Sequence, residues 1–202
     1  MKIGRFAMQL ECPLIGCLLL TSVWPARVLA QHDQMHTPTS LPHESTPDQK
    51  NQTSAFVKLV RESTERVQDV SMAEAEGYVL QFGCVSGPDA GAMGLHFVKG
   101  SLVGDDVVDA ARPEIVIYEP LSNGRMRLIG ADFLVLKDLW DAKHAAPPEL
   151  MGQLFHFFEA PNRFGLPPFY TLHVWAWKDN PNGTFTNWNP SVSCDGFNPE
   201  HP

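Results

Sequence analysis

Tyr170-Thr171-Leu172-His173-Val174-Trp175-Ala176-Trp177 is the stretch whose reading decides the fold. It is dense in aromatic and β-branched residues, which suit a pleated, half-buried surface, and strand side chains alternate between faces. The pattern predicts a strand that places His173 on one face with Thr171, Trp175 and Trp177. Asp179-Asn180-Pro181-Asn182-Gly183 then reads as a turn, and Trp188-Asn189-Pro190 with Cys194 as an anchored tail. An imidazole in a row of tryptophans is either a satisfied core histidine or a ligand in a sheltered pocket.

Upstream, other runs have strand character. Tyr78–Phe82 delivers Cys84. Ala92–Val98 carries His96 on the face of Gly94 and Val98, and the small residues Gly91, Ala92 and Gly94 leave room for something to approach the backbone. Glu114–Pro120 and Arg125–Leu136 flank the turn Leu121-Ser122-Asn123-Gly124 and predict a β-hairpin. Ile115, Ile117 and Glu119 share a face of the first strand. Asp132 interrupts the apolar run Leu128–Val135 of the second, which is costly if buried unless the acid is paired or metal-bound. Leu150–Glu159 is apolar and aromatic apart from His156 and Glu159. Pro161–Pro168 reads as a loop rimming a pocket. Short connections between strands favour antiparallel pairing.

Towards the N-terminus, Thr53 or Ser54 is placed to cap a helix whose apolar stripe is Phe56, Leu59, Val60, Val67 and Val70. Ser71-Met72-Ala73-Glu74 reads as the capping box of a second short helix, with Gly77 ending it. The expected fold is therefore α+β: N-terminal helices packed on a mostly antiparallel, curved sheet, with one disulfide.

Residues 1–30 read as a signal peptide: Lys2 and Arg5, an apolar Leu14–Trp24, and a small-residue cleavage site at Val28-Leu29-Ala30. Leu14-Ile15-Gly16-Cys17 also fits a lipoprotein box, ranked second because Leu18-Leu19-Leu20 stands where a polar tether belongs. Residues 31–52 are polar and proline-bearing, the composition of a disordered linker. His32, Met35, His36 and His43 within it are read first as tether and second as a loose copper site. Residues 53–202 form a single domain. The expected location is periplasmic or extracellular, with no membrane span.

The leader holds three of the 15 basic and one of the 23 acidic residues, so the mature chain carries 12 against 22, a formal charge of −10. That argues against nucleic acid or an anionic membrane as partner. Cleavage leaves two of the four cysteines, Cys84 and Cys194, which in an oxidising compartment read as a disulfide.

Three residues stand out for chemistry: His96, Glu119 and His173, each on or ending a predicted strand. Two imidazoles and a carboxylate suffice to hold a catalytic zinc or non-haem iron with positions left open, and copper suits imidazole as well. His156 is the candidate general base, and Asp132 or Glu159 the carboxylate that orients an imidazole. Gly94, Trp175 and Trp177 are candidate pocket walls. There is no His-Glu-x-x-His, Gly-x-Ser-x-Gly, P-loop or Rossmann fingerprint. The leading expectation is an exported protein with a small-molecule or metal-binding pocket around His96 and His173. The alternatives are a metal-dependent enzyme completed by Glu119, and a structural or interaction protein with core histidines.

Gly91-Ala92-Met93-Gly94-Leu95-His96, Arg112-Pro113-Glu114 with Tyr118-Glu119-Pro120, and His173-Val174-Trp175 through Asn187-Trp188-Asn189-Pro190 and Cys194 resemble a group of uncharacterised exported bacterial proteins. The resemblance runs from about Phe56 to Cys194. It implies export and assigns no catalytic residue.

Overall fold

The computed structural model describes residues 45–198. The leader, the lipoprotein box, most of the expected linker and its histidines lie outside the described residues.

Helix α1 spans Pro47–Thr64. It starts at Pro47, not at Thr53 or Ser54, so residues 47–52 are helical instead of linker. The cause is local. Thr46 Oγ1 accepts from Gln49 N at 3.2 Å, Gln49 Oε1 accepts from Thr46 N at 2.8 Å, and Pro47 stands at the first helical position. The exposed first turns need no apolar side chains. A short 3-10 turn, Glu65–Val67, leads to α2, Val70–Ala75. The cap of α2 is Asp69, not Ser71: Asp69 Oδ1 accepts from Ser71 N at 3.0 Å. Gly77 follows with φ +90°, a left-handed position that suits glycine.

The strands are β1 Val79–Gly87, β2 Gly91–Val98, β3 Ile115–Pro120, β4 Met126–Leu136, β5 Glu149–Leu150, β6 Gln153–Leu154, β7 His156–Phe158 and β8 Phe169–Val174. Single-turn helices α3, Gly100–Val103, and α4, Lys137–Asp141, sit between them. Six strands make one antiparallel sheet, order β1-β2-β3-β4-β8-β7, curled into a half-barrel; β5 and β6 pair separately. The fold is α+β.

One sheet face is covered by the helices. Phe56 and Val60, one helical turn apart on α1, pack with Phe133, Val135, Leu172 and Val174. Burying one such phenylalanine contributes about 2–3 kcal/mol. Val67 and Ala73 extend this layer over Leu95, Phe97, Val116 and Tyr118. The opposite face holds Ile115, Ile117, Leu134, Phe169 and Trp175, closed by Ala92 and Val192. The tail is fastened by the Cys84–Cys194 disulfide and by paired bonds between Ala92 and Asn189, each 3.2 Å. The space beside Gly91 and Gly94 is thus filled by the chain itself. A Cβ on Gly91 would stand 2.2 Å from Asn189 O, and one on Gly94 2.6 Å from Tyr118 O.

Strand β8 ends at Val174 instead of running on to Trp177. Trp175 N donates to Thr184 O and Trp177 N to Ile129 O. Gly130 permits the crossing, since a Cβ there would lie 2.5 Å from Val174 O. Trp175 therefore stays near His173, while Trp177 turns to the helix side and donates from Nε1 to Thr64 Oγ1 at 2.9 Å.

Candidate functional site

Asp132 lies opposite Ile115 on β3 and His173 on β8, in one row across three strands. His96 is one step away, opposite Ile117. Strands β2 and β8 are three places apart in the sheet, about 14 Å if it were flat. Yet the His96 and His173 rings meet edge to face with centroids 5.8 Å apart. The curl of the sheet makes this contact, so the cluster sits where the half-barrel folds inward.

His96, Asp132 and His173 are all buried, His173 to 1% exposure. One ligand atom from each lies within 4.8 Å of the others. Thr171 Oγ1 donates to Asp132 Oδ1 at 2.5 Å. Asp132 Oδ2 is 3.6 Å from His173 Nδ1, too long for a hydrogen bond. His96 Nδ1 lies 3.2 Å from Gly94 O. Donating a proton there leaves Nε2 of His96 as its lone-pair nitrogen. His173 Nε2 is buried with no hydrogen-bond partner. Trp175 backs the His173 ring, centroids 4.8 Å apart.

Burial pushes the pKa of His96 down to about 4, with the neighbouring His173 acting the same way and Asp132 opposing. His96 is thus neutral at pH 7. Burial pushes the Asp132 carboxyl up, but His173, the Thr171 hydroxyl and His96 outweigh it and hold the carboxyl below the usual carboxylate range. Asp132 is a buried anion, and among the described residues no lysine or arginine is ion-paired with it.

The cluster faces a cavity of about 30 Å³ whose other walls include Ile115, Leu134, Phe158, Phe164, Phe169 and Asn187. The Phe164 ring packs against Phe82, Phe158 and Phe169, all four lining this cavity. Such a volume holds a water or two, or an ion with a water. It is far below the roughly 300 Å³ of an organic ligand pocket.

The remaining sequence candidates lie elsewhere. Glu119 is four residues along β3 from Ile115, roughly 13 Å at strand rise. Lys178 Nζ reaches its two oxygens at 2.8 and 2.9 Å, Arg127 donates to Oε2, and Ser193 N approaches Oε1 at 3.4 Å. Burial pushes its carboxyl up, but those cations hold it below the usual range. Glu119 pins the tail and leaves the histidines to Asp132. His156 is exposed on the edge strand β7 and does not line the cavity. Glu159 is exposed as well, its carbonyl accepting from Asn162. Gly94 serves through its carbonyl; neither it nor Trp175 or Trp177 lines the cavity. The loop Pro161–Pro168, expected to rim a pocket, supplies Phe164 and Leu166 to the cavity, whereas sequence reasoning missed Asn187, for which no periodicity or spacing gives a signal.

No protein-family model, curated protein or solved structure matches the chain. The site therefore rests on its own geometry. Two imidazoles and a carboxylate gathered beside a small cavity are groups that could hold a divalent transition metal.

Proposed function

We propose that this is an exported metal-binding protein whose His96–Asp132–His173 cluster takes up a divalent transition metal such as zinc, iron or copper. The observation that carries the reading is His173 Nε2, fully buried and unpaired beside a second imidazole and an anion. An unpaired buried polar atom costs about 1–3 kcal/mol. A cation relieves that cost and neutralises Asp132 at once. In this reading Nε2 of His96 and Nε2 of His173 are the nitrogen donors. Asp132 supplies charge and orients His173 from the Nδ1 side, as carboxylates do behind metal-bound imidazoles. The cavity's size favours an ion over an organic ligand. Export is supported by the leader-like first 30 residues, the Cys84–Cys194 disulfide, and the finding that no described helix is long and apolar enough to cross a membrane.

Elemental analysis of the purified protein, with unfolding measured in chelator and in excess Zn²⁺, tests the proposal. Zn²⁺ at a hundred times Kd should add about 2.7 kcal/mol to wild-type stability. His173→Ala and His96→Ala should lose that increment. Wild-type protein without bound metal, and equally stable with and without Zn²⁺, would leave the histidines as core residues.

A further inference from the structure

Two buried side-chain atoms among the described residues have no hydrogen-bond partner: His173 Nε2 and Asn187 Oδ1. Both residues line the same cavity of about 30 Å³. One orphan is a local cost; two on residues lining one small void point to a shared partner. Asn187 Oδ1 is an acceptor only. With the ring proton on Nδ1, the nitrogen 3.6 Å from Asp132 Oδ2, Nε2 of His173 offers a lone pair as well. Two acceptors cannot satisfy each other, so their common partner is a cation or a molecule carrying donors. The proposed ion meets both.

We infer that Asn187 is a further ligand of the metal site, its amide oxygen binding the ion that His96 and His173 hold through nitrogen; this rests on the metal reading above. Asn187 belongs to the tail segment between β8 and Cys194, so the tail closes the site as well as the sheet face. Its neighbours fix it in place. Trp175 Nε1 donates to Thr186 O at 2.6 Å, and Asn180 Nδ2 donates to Thr186 Oγ1 at 2.8 Å and Trp188 O at 2.9 Å. Residues on both sides of Asn187 are thus tied down while its own carbonyl is left free. Two nitrogens and an amide oxygen, with Asp132 behind His173, leave at least one position for water. A hard oxygen donor also moves preference from Cu(I) towards Zn²⁺, Fe²⁺ or Co²⁺.

Co²⁺ is the probe, because its visible absorption reports its ligands. Wild type, Asn187→Ala, Asn187→Asp and His173→Ala would be titrated with Co²⁺, with near-ultraviolet circular dichroism confirming the fold. Asn187→Ala should bind about 10–100-fold more weakly and shift the visible band. Asn187→Asp, equal in shape and carrying an oxygen donor, should bind at least as tightly as wild type. Wild-type affinity and an unchanged band in Asn187→Ala, while His173→Ala loses binding, would overturn the role of Asn187 and leave the metal site standing. No Co²⁺ binding by wild type, or wild-type binding by His173→Ala, would overturn both.

Discussion

Glu114 is a carboxyl with 1% exposure, and Leu134 N donates to its Oε2 at 3.1 Å. Burial raises its pKa from 4.5 to about 8, against the hydrogen bonds from its own and the Leu134 amides, with the nearby Asp132 charge adding to the rise. A folded pKa above the unfolded one means that the native state holds a proton the unfolded state has lost. Its stabilising contribution is full below about pH 4.5 and is lost as pH rises through 8. Between those limits stability falls by about 1.4 kcal/mol per pH unit, so from pH 5 to pH 8 the loss is roughly 3–4 kcal/mol as an upper bound. Glu114→Gln keeps the acceptor and cannot titrate. It adds an NH2 group whose pairing shifts stability by a constant, so the informative quantity is the pH dependence of the difference between variant and wild type. Urea unfolding of both proteins at pH 5, 6, 7 and 8, disulfide intact, measures it. Other titrating groups, His96 and Asp132 included, largely cancel in that difference. Glu114→Gln should gain roughly 3 kcal/mol on wild type between pH 5 and pH 8. A difference constant to within about 0.5 kcal/mol would show that Glu114 is already ionised in the folded protein and would refute the reasoning.

Two further outcomes concern the frame of the site. Replacing Cys84 and Cys194 by alanine opens a covalent loop of 110 residues, which should cost about 4 kcal/mol in urea unfolding; an unchanged midpoint would show that the tail holds without its bond. Gly94→Ala puts a Cβ 2.6 Å from Tyr118 O at φ +98° and should cost about 2 kcal/mol or more by thermal unfolding, whereas a wild-type melting temperature would mean that β2 can move off β3.

The fold class was legible because its signals are local and redundant. The hairpin around Gly124, the two cysteines and the alternating strands each point to the same α+β sheet. The misses come from two sources. The helix start was written in Thr46-Pro47-Asp48-Gln49, a capping box with proline at the first helical position, but the apolar stripe begins only at Phe56 and drew the expected start to Thr53 or Ser54. Trp177 leaves the strand because Gly130 lets the chain cross above it, a contact between distant segments. Alternation correctly placed Glu119 on the face of Ile115 and Ile117, but a face is not a distance. Asp132 was visible as an acid in an apolar run, and only the register Ile115–Asp132–His173 shows that it, and not Glu119, meets the histidines. Asn187 has no signature in sequence at all. Its significance is the lack of a partner, which exists only once the chain is folded.

The placement of cost across the molecule is itself informative. Elsewhere among the described residues of this sheet face, Ile117, Leu134, Phe169 and Trp175 pack as apolar core and the buried Glu119 is satisfied by Lys178 and Arg127. The same residue types were available at positions 96, 132 and 173, and leucine or phenylalanine there would close the cavity without polar atoms. Instead the fold buries an anion without a cationic partner, keeps one imidazole neutral, and leaves two acceptors unpaired around one void. Local departures from consistent packing concentrate where a protein does something other than fold. A core histidine would be satisfied by a carbonyl, as His96 is on its Nδ1 side. The two unsatisfied atoms, His173 Nε2 and Asn187 Oδ1, belong to residues that line one cavity of about 30 Å³, room for an ion with its water.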